Sequence, residues 1–213
     1  MPGMFHHERL YRGDPALARL AEAQIVLCGA GAVGSHLADT LARQGAGRLR
    51  VIDDDRIEEH NVGTQLWSLE DVGLFKAEAL RSHLFRATGI EIEAVNRRLT
   101  DRNVRKLLAG ADLVLDGFDN SASRRLVTES CAASGVSCLH VGLSAAYAEV
   151  VWNEQYRVPD DVAGDVCDYP LARNGVLLAV AVAAEAALRF LLEGVRESYT
   201  VTLGDFAVRP LGT

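Results

Sequence analysis

The chain has 213 residues, enough to bury a core without metal or disulfide staples, and its 49% hydrophobic and 24% charged residues fit an ordinary globular protein and exclude a disordered one. A formal charge of -7 argues against nucleic acid as the main partner, because a negative surface repels phosphate backbones. The four cysteines, Cys28, Cys131, Cys138 and Cys167, contain no CxxC pair; that excludes a zinc ribbon and leaves reduced thiols in a cytoplasmic protein as the expectation.

The polar N-terminus, residues 1–14, has no apolar central stretch and does not read as a signal peptide. Residues 24–28 (QIVLC) are a short apolar run ending in glycines, the pattern of a buried strand. Residues 32–44 carry Val33, Leu37, Ala38 and Leu41 at helical spacing, and Gly45 and Gly47 stop that helix. A second strand follows at 49–52, a helix at 71–87 and a strand at 90–95. Asp101 is placed to cap a helix running to Leu108. A fourth strand (112–115), a helix at 121–134 stopped by Gly135, and a fifth strand (137–141) complete the alternation. Strand–helix alternation of this kind predicts an α/β fold, a Rossmann-like, doubly wound, mostly parallel sheet.

Past residue 142 the pattern changes. Strands at 147–152, 199–203 and 206–208 have no crossover helix between neighbours, which predicts an antiparallel C-terminal extension. Residues 176–192 are apolar apart from Glu185 and Arg189, and they read as a helix buried in the core or in a subunit interface, not as a membrane anchor. An apolar patch left over on that helix would favour a homodimer. The expected organisation is one nucleotide-binding unit: an N-terminal segment (1–23), a Rossmann-like core (24–142) and the extension (143–213) with an irregular loop and the long helix.

Gly29-Ala30-Gly31-Ala32-Val33-Gly34 is GxGxxG between a strand and a helix. Gly29 permits a tight turn, Gly31 lets the backbone approach a phosphate, and Gly34 allows close helix–strand packing. The helix N-terminus adds free N–H donors. Asp53 lies nineteen residues after Gly34, where a carboxylate accepts from ribose hydroxyls. The pattern implies an adenosine nucleotide and does not separate NAD from ATP.

Further polar groups follow the strands: Asp53-Asp54-Asp55, then Asn61 to Gln65, then Gly73 to Lys76, then Asp116-Gly-Phe-Asp119-Asn120. Taken singly, Lys76 is a solvated lysine on a helix and Asp119 an ordinary helix cap. Together, at strand C-terminal ends where open α/β sheets bind ligands, they form a site.

In these residues the chain resembles the ThiF/MoeB family, whose fold ubiquitin-activating enzymes also use. The matches are Gly29, Gly31, Gly34, Asp53, Asp55, Asn61, Gln65, Lys76, Asp119 and Asn120, in order over about a hundred residues, and Arg9-Leu-Tyr-Arg12 is similar to the segment before the first strand. The resemblance implies ATP-dependent adenylation of the C-terminal carboxylate of a small ubiquitin-like or sulfur-carrier protein, supplied as a separate chain. It implies that Asp53 holds the ribose with Asp55 and Gln65 nearby, that Lys76 contacts the phosphates, that Asn61 supports a phosphate or the nucleophile, and that Asp119 holds Mg²⁺. The family's zinc-binding cysteine pairs are missing, so no zinc is expected.

One position departs from the family. Its arginine in NxxRQ is Thr64 here, which has neither the charge nor the donor fork. Arg9 or Arg12 of a partner subunit are candidates to replace it; slow adenylation and nucleotide binding without chemistry are the other readings. Cys167, in an irregular stretch before the long helix, is open to two readings, a catalytic thiol assisted by Arg173 or an unreactive surface cysteine. A nucleotide-binding scaffold and an NAD-dependent oxidoreductase are the alternatives from other classes; the second gives no role to Lys76 or the DxxDN box.

Overall fold

A computed structural model describes residues 3–159 and 170–212. Eight strands form one sheet in the order β3-β2-β1-β4-β5-β6-β7-β8. The strands are β1 (Gln24–Cys28), β2 (Arg48–Ile52), β3 (Glu93–Val95), β4 (Leu113–Asp116), β5 (Cys138–Ser144), β6 (Tyr147–Trp152), β7 (Tyr199–Thr202) and β8 (Ala207–Pro210). The first five are parallel and the last three antiparallel, as the alternation and its loss past residue 142 predicted.

Among the described residues seven α-helices accompany the sheet: α1 (His6–Arg12), α2 (Asp14–Glu22), α3 (Ala32–Arg43), α4 (Lys76–Thr88), α5 (Val104–Leu108), α6 (Ser121–Ser134) and α7 (Arg173–Glu193). Side chains of a strand alternate between faces, so β1 sends Ile25 and Leu27 into one core and Val26 and Cys28 into the other. The first core is closed by α3, α4 and α7, the second by α5 and α6. Both faces of the central strands are therefore covered, which explains the apolar runs of β1 and β4.

Several predicted boundaries move. The helix expected from residue 71 begins at Lys76: Gly73 sits at φ +91 and Phe75 is extended, while Leu69–Asp71 makes a single 3-10 turn whose first amide, that of Ser68, is accepted by Asp71. Asp101 caps nothing. Asn103 stands before α5, its side chain accepting from the Thr100 amide and donating to the Arg98 carbonyl. The strand read at 90–95 pairs with β2 only through Glu93–Val95. Residues 6–22 form two helices within the N-terminal segment, and α2 buries Leu17 and Leu20.

Helix α7 is longer than predicted, and its apolar character has a cause inside the chain. It packs on β5, β6 and β7 and is flanked by α2 and α3. Its 21 residues are long and apolar enough to cross a membrane by length and composition, yet Leu177 is its only large apolar side chain that is exposed. The leftover patch expected to drive dimerisation through this helix is absent. Glu185, the acid in its middle, receives both Nη atoms of Arg12, at 2.6 and 3.3 Å.

Candidate functional site

The C-terminal ends of β1, β2 and β4 open onto a polar cleft continuous with solvent. Its first wall is the turn after β1. Gly29 holds φ +92, a left-handed conformation that glycine adopts without a steric cost. A Cβ on Gly34 would lie 1.9 Å from the Gly29 carbonyl, so the turn and α3 touch backbone to backbone. A Cβ on Gly31 would meet nothing within 4 Å; that position faces open space. No side chain caps α3, so its first-turn amides are left for solvent or a ligand.

Asp53 joins this turn to β2. Its Oδ2 accepts from the Ala30 amide at 2.7 Å and its Oδ1 from the Asp55 amide at 2.9 Å. Burial raises the Asp53 pKa to about 6, against the opposing pull of Lys76 and of the two amides. Lys76, the first residue of α4, is buried and donates from Nζ to Asp55 Oδ2 at 2.9 Å. Burial alone would lower its pKa; the carboxylates of Asp53, Asp55 and Asp119 outweigh burial and raise it. The ammonium is therefore held charged among three acids that come from two different strand ends.

Asp119 lines the cleft as an exposed carboxylate, and Asn120, not Asp119, caps α6 by accepting from the Ser123 amide at 2.8 Å. The same lining includes Asp54, Arg98, Leu99 and Phe118. Asp53, Asp54, Asp55 and Asp119 thus face Lys76 and Arg98. With all six ionised, the cleft is itself anionic. A polyphosphate entering it needs an accompanying cation, and one or two carboxylates with substrate phosphates is the usual environment of Mg²⁺. The donor set fits that ion.

The structure brings Gly29, Gly31, Asp53, Asp55, Lys76 and Asp119 together on this cleft. It places others elsewhere. Asn61 closes a 3-10 turn (Glu59–Gly63), its Oδ1 accepting from the Glu58 amide at 2.9 Å. Gln65 is buried, and its Oε1 accepts from the Trp67 indole at 2.7 Å. Neither lines the cleft. Arg12, expected to be free to reach a neighbouring site, is instead engaged within its own chain by Glu8 and Glu185. Arg9 pairs with Asp14. Cys167 lies outside the described residues. Cys28, Cys131 and Cys138 are buried; burial pushes the Cys28 and Cys138 thiols well up, as expected of packing cysteines.

The backbone around Thr64 is held by two donors. His36, whose pKa burial lowers, donates from Nε2 to the Thr64 carbonyl at 3.1 Å. Arg173, the first residue of α7, donates to the Gly63 and Gln65 carbonyls at 3.4 and 3.1 Å. A guanidinium therefore stands beside the position where the sequence lacks one.

A buried polar network that motif spacing does not mark lies under the DxxDN loop. Asp116 Oδ1 accepts from the Phe118 amide at 3.1 Å, and its Oδ2 bonds His140 Nδ1 at 2.8 Å. His140 Nε2 reaches Asn153 at 2.8 Å, and its ring stacks on Tyr156 with centroids 3.8 Å apart. Arg124 donates to the Tyr156 hydroxyl at 2.9 Å and to the Val141 carbonyl at 2.8 Å. The loop bearing Asp119 thus hangs from an acid oriented by a histidine on β5. A histidine inside one apolar strand, CLHV, and an acid ending another, LVLD, were the available signal.

A comparison with protein families matches residues 7–165 to the ThiF family. Among curated proteins, the chain is 33% identical over 130 residues to a SAMP-activating enzyme E1 of Haloferax volcanii, covering 60% of this chain and 48% of that one. It is 35% identical over 125 residues to a sulfur carrier protein adenylyltransferase of Thermus thermophilus, covering 58% and 46%. The chain spans about half the length of these relatives. Among solved structures, Escherichia coli MccB with ATP superposes with a TM-score of 0.82 at 17% identity, over 100% of this chain and 71% of that one. At that identity the likeness concerns the fold.

Proposed function

The chain belongs to the ThiF family, and we propose that it binds ATP with Mg²⁺ and adenylates the C-terminal carboxylate of a small ubiquitin-like or sulfur-carrier protein. The observation that carries this reading is the meeting of Asp53, Lys76 and Asp119 on one cleft entered through the Gly29–Gly34 turn. Asp53 is ready to accept from ribose hydroxyls through the lone pairs that Ala30 and Asp55 leave open. The first-turn amides of α3 and the Lys76 ammonium receive the phosphates. Asp119 would hold Mg²⁺, which neutralises charge on the departing pyrophosphate.

In the reaction a carboxylate oxygen of the carrier attacks the α-phosphorus. The new O–P bond forms as the bond to the β-phosphate bridging oxygen breaks, and pyrophosphate leaves with that electron pair. The protein's part is orientation and charge placement, which is most of what phosphoryl chemistry asks of a site.

Thr64 and the cis engagement of Arg12 favour a second reading, a nucleotide-binding scaffold without chemistry. One experiment separates the two. ATP–pyrophosphate exchange is measured with the purified chain, Mg²⁺ and candidate carrier proteins ending in glycine. Carrier-dependent exchange is expected. Thermal stabilisation by ATP without exchange would support the scaffold, and stronger stabilisation by NAD than by ATP would overturn both.

A further inference from the structure

Arg98 lines the cleft at the end away from the glycine turn, past β3. Its side chain is 81% exposed, and its ion pair with Asp54 is long, at 4.0 Å. Such a pair contributes little, so the guanidinium is free to turn onto a ligand. Its backbone is set firmly: the Arg98 carbonyl accepts from Asn103 Nδ2 at 2.9 Å, and the next residue, Leu99, is buried in the second core.

The strand order says which part of a nucleotide Arg98 would meet. The glycine turn follows β1, Asp53 follows β2, and Arg98 follows β3. The Asp53 amide donates to the Val95 carbonyl at 3.1 Å, which fixes the β3 end beside the β2 end. Neighbouring strands lie about 4.8 Å apart, so the turn and the β3 end are separated by roughly 10 Å. A nucleotide with its ribose on Asp53 and its phosphates on the glycine turn and α3 must send its base the other way, toward β3. The cleft wall there is Leu99, an apolar surface, with Arg98 beside it.

We propose that Arg98 covers the base of the bound nucleotide, stacking its planar guanidinium on the purine, and so sets affinity from the base end of the cleft. This rests on the reading of the cleft as a nucleotide site. A guanidinium is flat, weakly hydrated and well suited to lie on an aromatic face; an ammonium is not.

The test is calorimetric titration of AMP and of ATP with Mg²⁺ into the wild-type chain and into Arg98→Ala, Arg98→Lys and Gly31→Ala. A base contact is the same for AMP and ATP. Arg98→Ala should therefore weaken both by the same factor, between about fivefold and thirtyfold, and Arg98→Lys should restore little. The exposed side chain supports no packing, so the melting temperature of the empty variant should be unchanged. A loss that is larger for ATP than for AMP, with rescue by lysine, would mean a phosphate contact and overturn the proposal. Unchanged affinity in Arg98→Ala also overturns it; if Gly31→Ala then still loses ATP, the cleft remains the nucleotide site. A wild-type chain that binds neither nucleotide overturns the site reading and this inference together.

Discussion

Asp53 Oδ2 accepts the Ala30 amide at 2.7 Å, so the carboxylate ending β2 holds the glycine turn that ends β1. The group proposed to take the ribose is also what shapes the phosphate-facing loop. Asp53→Ala would leave the Ala30 and Asp55 amides without their acceptor. We expect a loss of about 1–3 kcal/mol in urea unfolding, together with loss of thermal stabilisation by ATP. Asp53→Asn keeps one acceptor oxygen and should fall between.

Burial lifts the Asp53 pKa from 3.8 to about 6. The folded chain then keeps a proton that the unfolded chain has released between about pH 4 and 6. The contribution of this group to the stability of the empty protein therefore falls as pH rises through that window. Nucleotide affinity should run the other way, because the carboxylate that accepts from ribose hydroxyls is present above pH 6. Titration of ATP at pH 7 and pH 5 should show an affinity about tenfold lower at the acid end. A flat profile would remove Asp53 from the ribose.

Gly31 and Gly34 should respond differently to the same change. A Cβ at Gly34 would collide with the Gly29 carbonyl, so Gly34→Ala should prevent or severely weaken folding, seen as a lost cooperative transition by circular dichroism. A Cβ at Gly31 meets nothing, so Gly31→Ala should fold normally and lose ATP binding, because the methyl group occupies the phosphate approach.

Arg12 and Glu185 should behave as a structural pair. Arg12→Ala and Glu185→Ala each release α1 from α7, and a double-mutant cycle by chemical denaturation should give a coupling of about 0.5–1 kcal/mol, discounted because Glu185 is half exposed. Pyrophosphate exchange that survives Arg12→Ala would agree with this role. Its complete loss with stability intact would return Arg12 to the reaction.

The parallel core was legible in residues 24–141 because the central strands β1 and β4 are short apolar runs buried on both faces and the helices between strands carry apolar stripes. The helix start at Lys76 was not legible, because Gly73 and Phe75 take their conformations from contacts with the Asp53–Ile57 segment: the Lys76 amide donates to the Asp55 carbonyl and the Ile57 amide to Leu74. The site divides in the same way. Gly29, Gly31, Asp53, Lys76 and Asp119 were marked by motif spacing, since each lies just past a strand or opens a helix. Arg98 carries no local signature, and the acid and histidine visible in two apolar strands, Asp116 and His140, do not reveal which partners they meet. Asp116 and His140 are 24 residues apart and Arg124 and Tyr156 are 32 apart, while Arg98 comes beside Asp53 because β3 pairs with β2; strand order makes them neighbours.

The sequence by itself determined the fold class and the family, because hydrophobic period, glycine placement and motif order are local properties of a chain. The tertiary structure alone decided which charges meet. It put Lys76 among Asp53, Asp55 and Asp119, tied Arg12 to Glu185, set Arg173 beside the carbonyls flanking Thr64, and wrapped α7 in the chain's own helices and sheet. Those outcomes depend on strand order and helix packing, and burial then sets which ionisation states and which partners each charged group can keep.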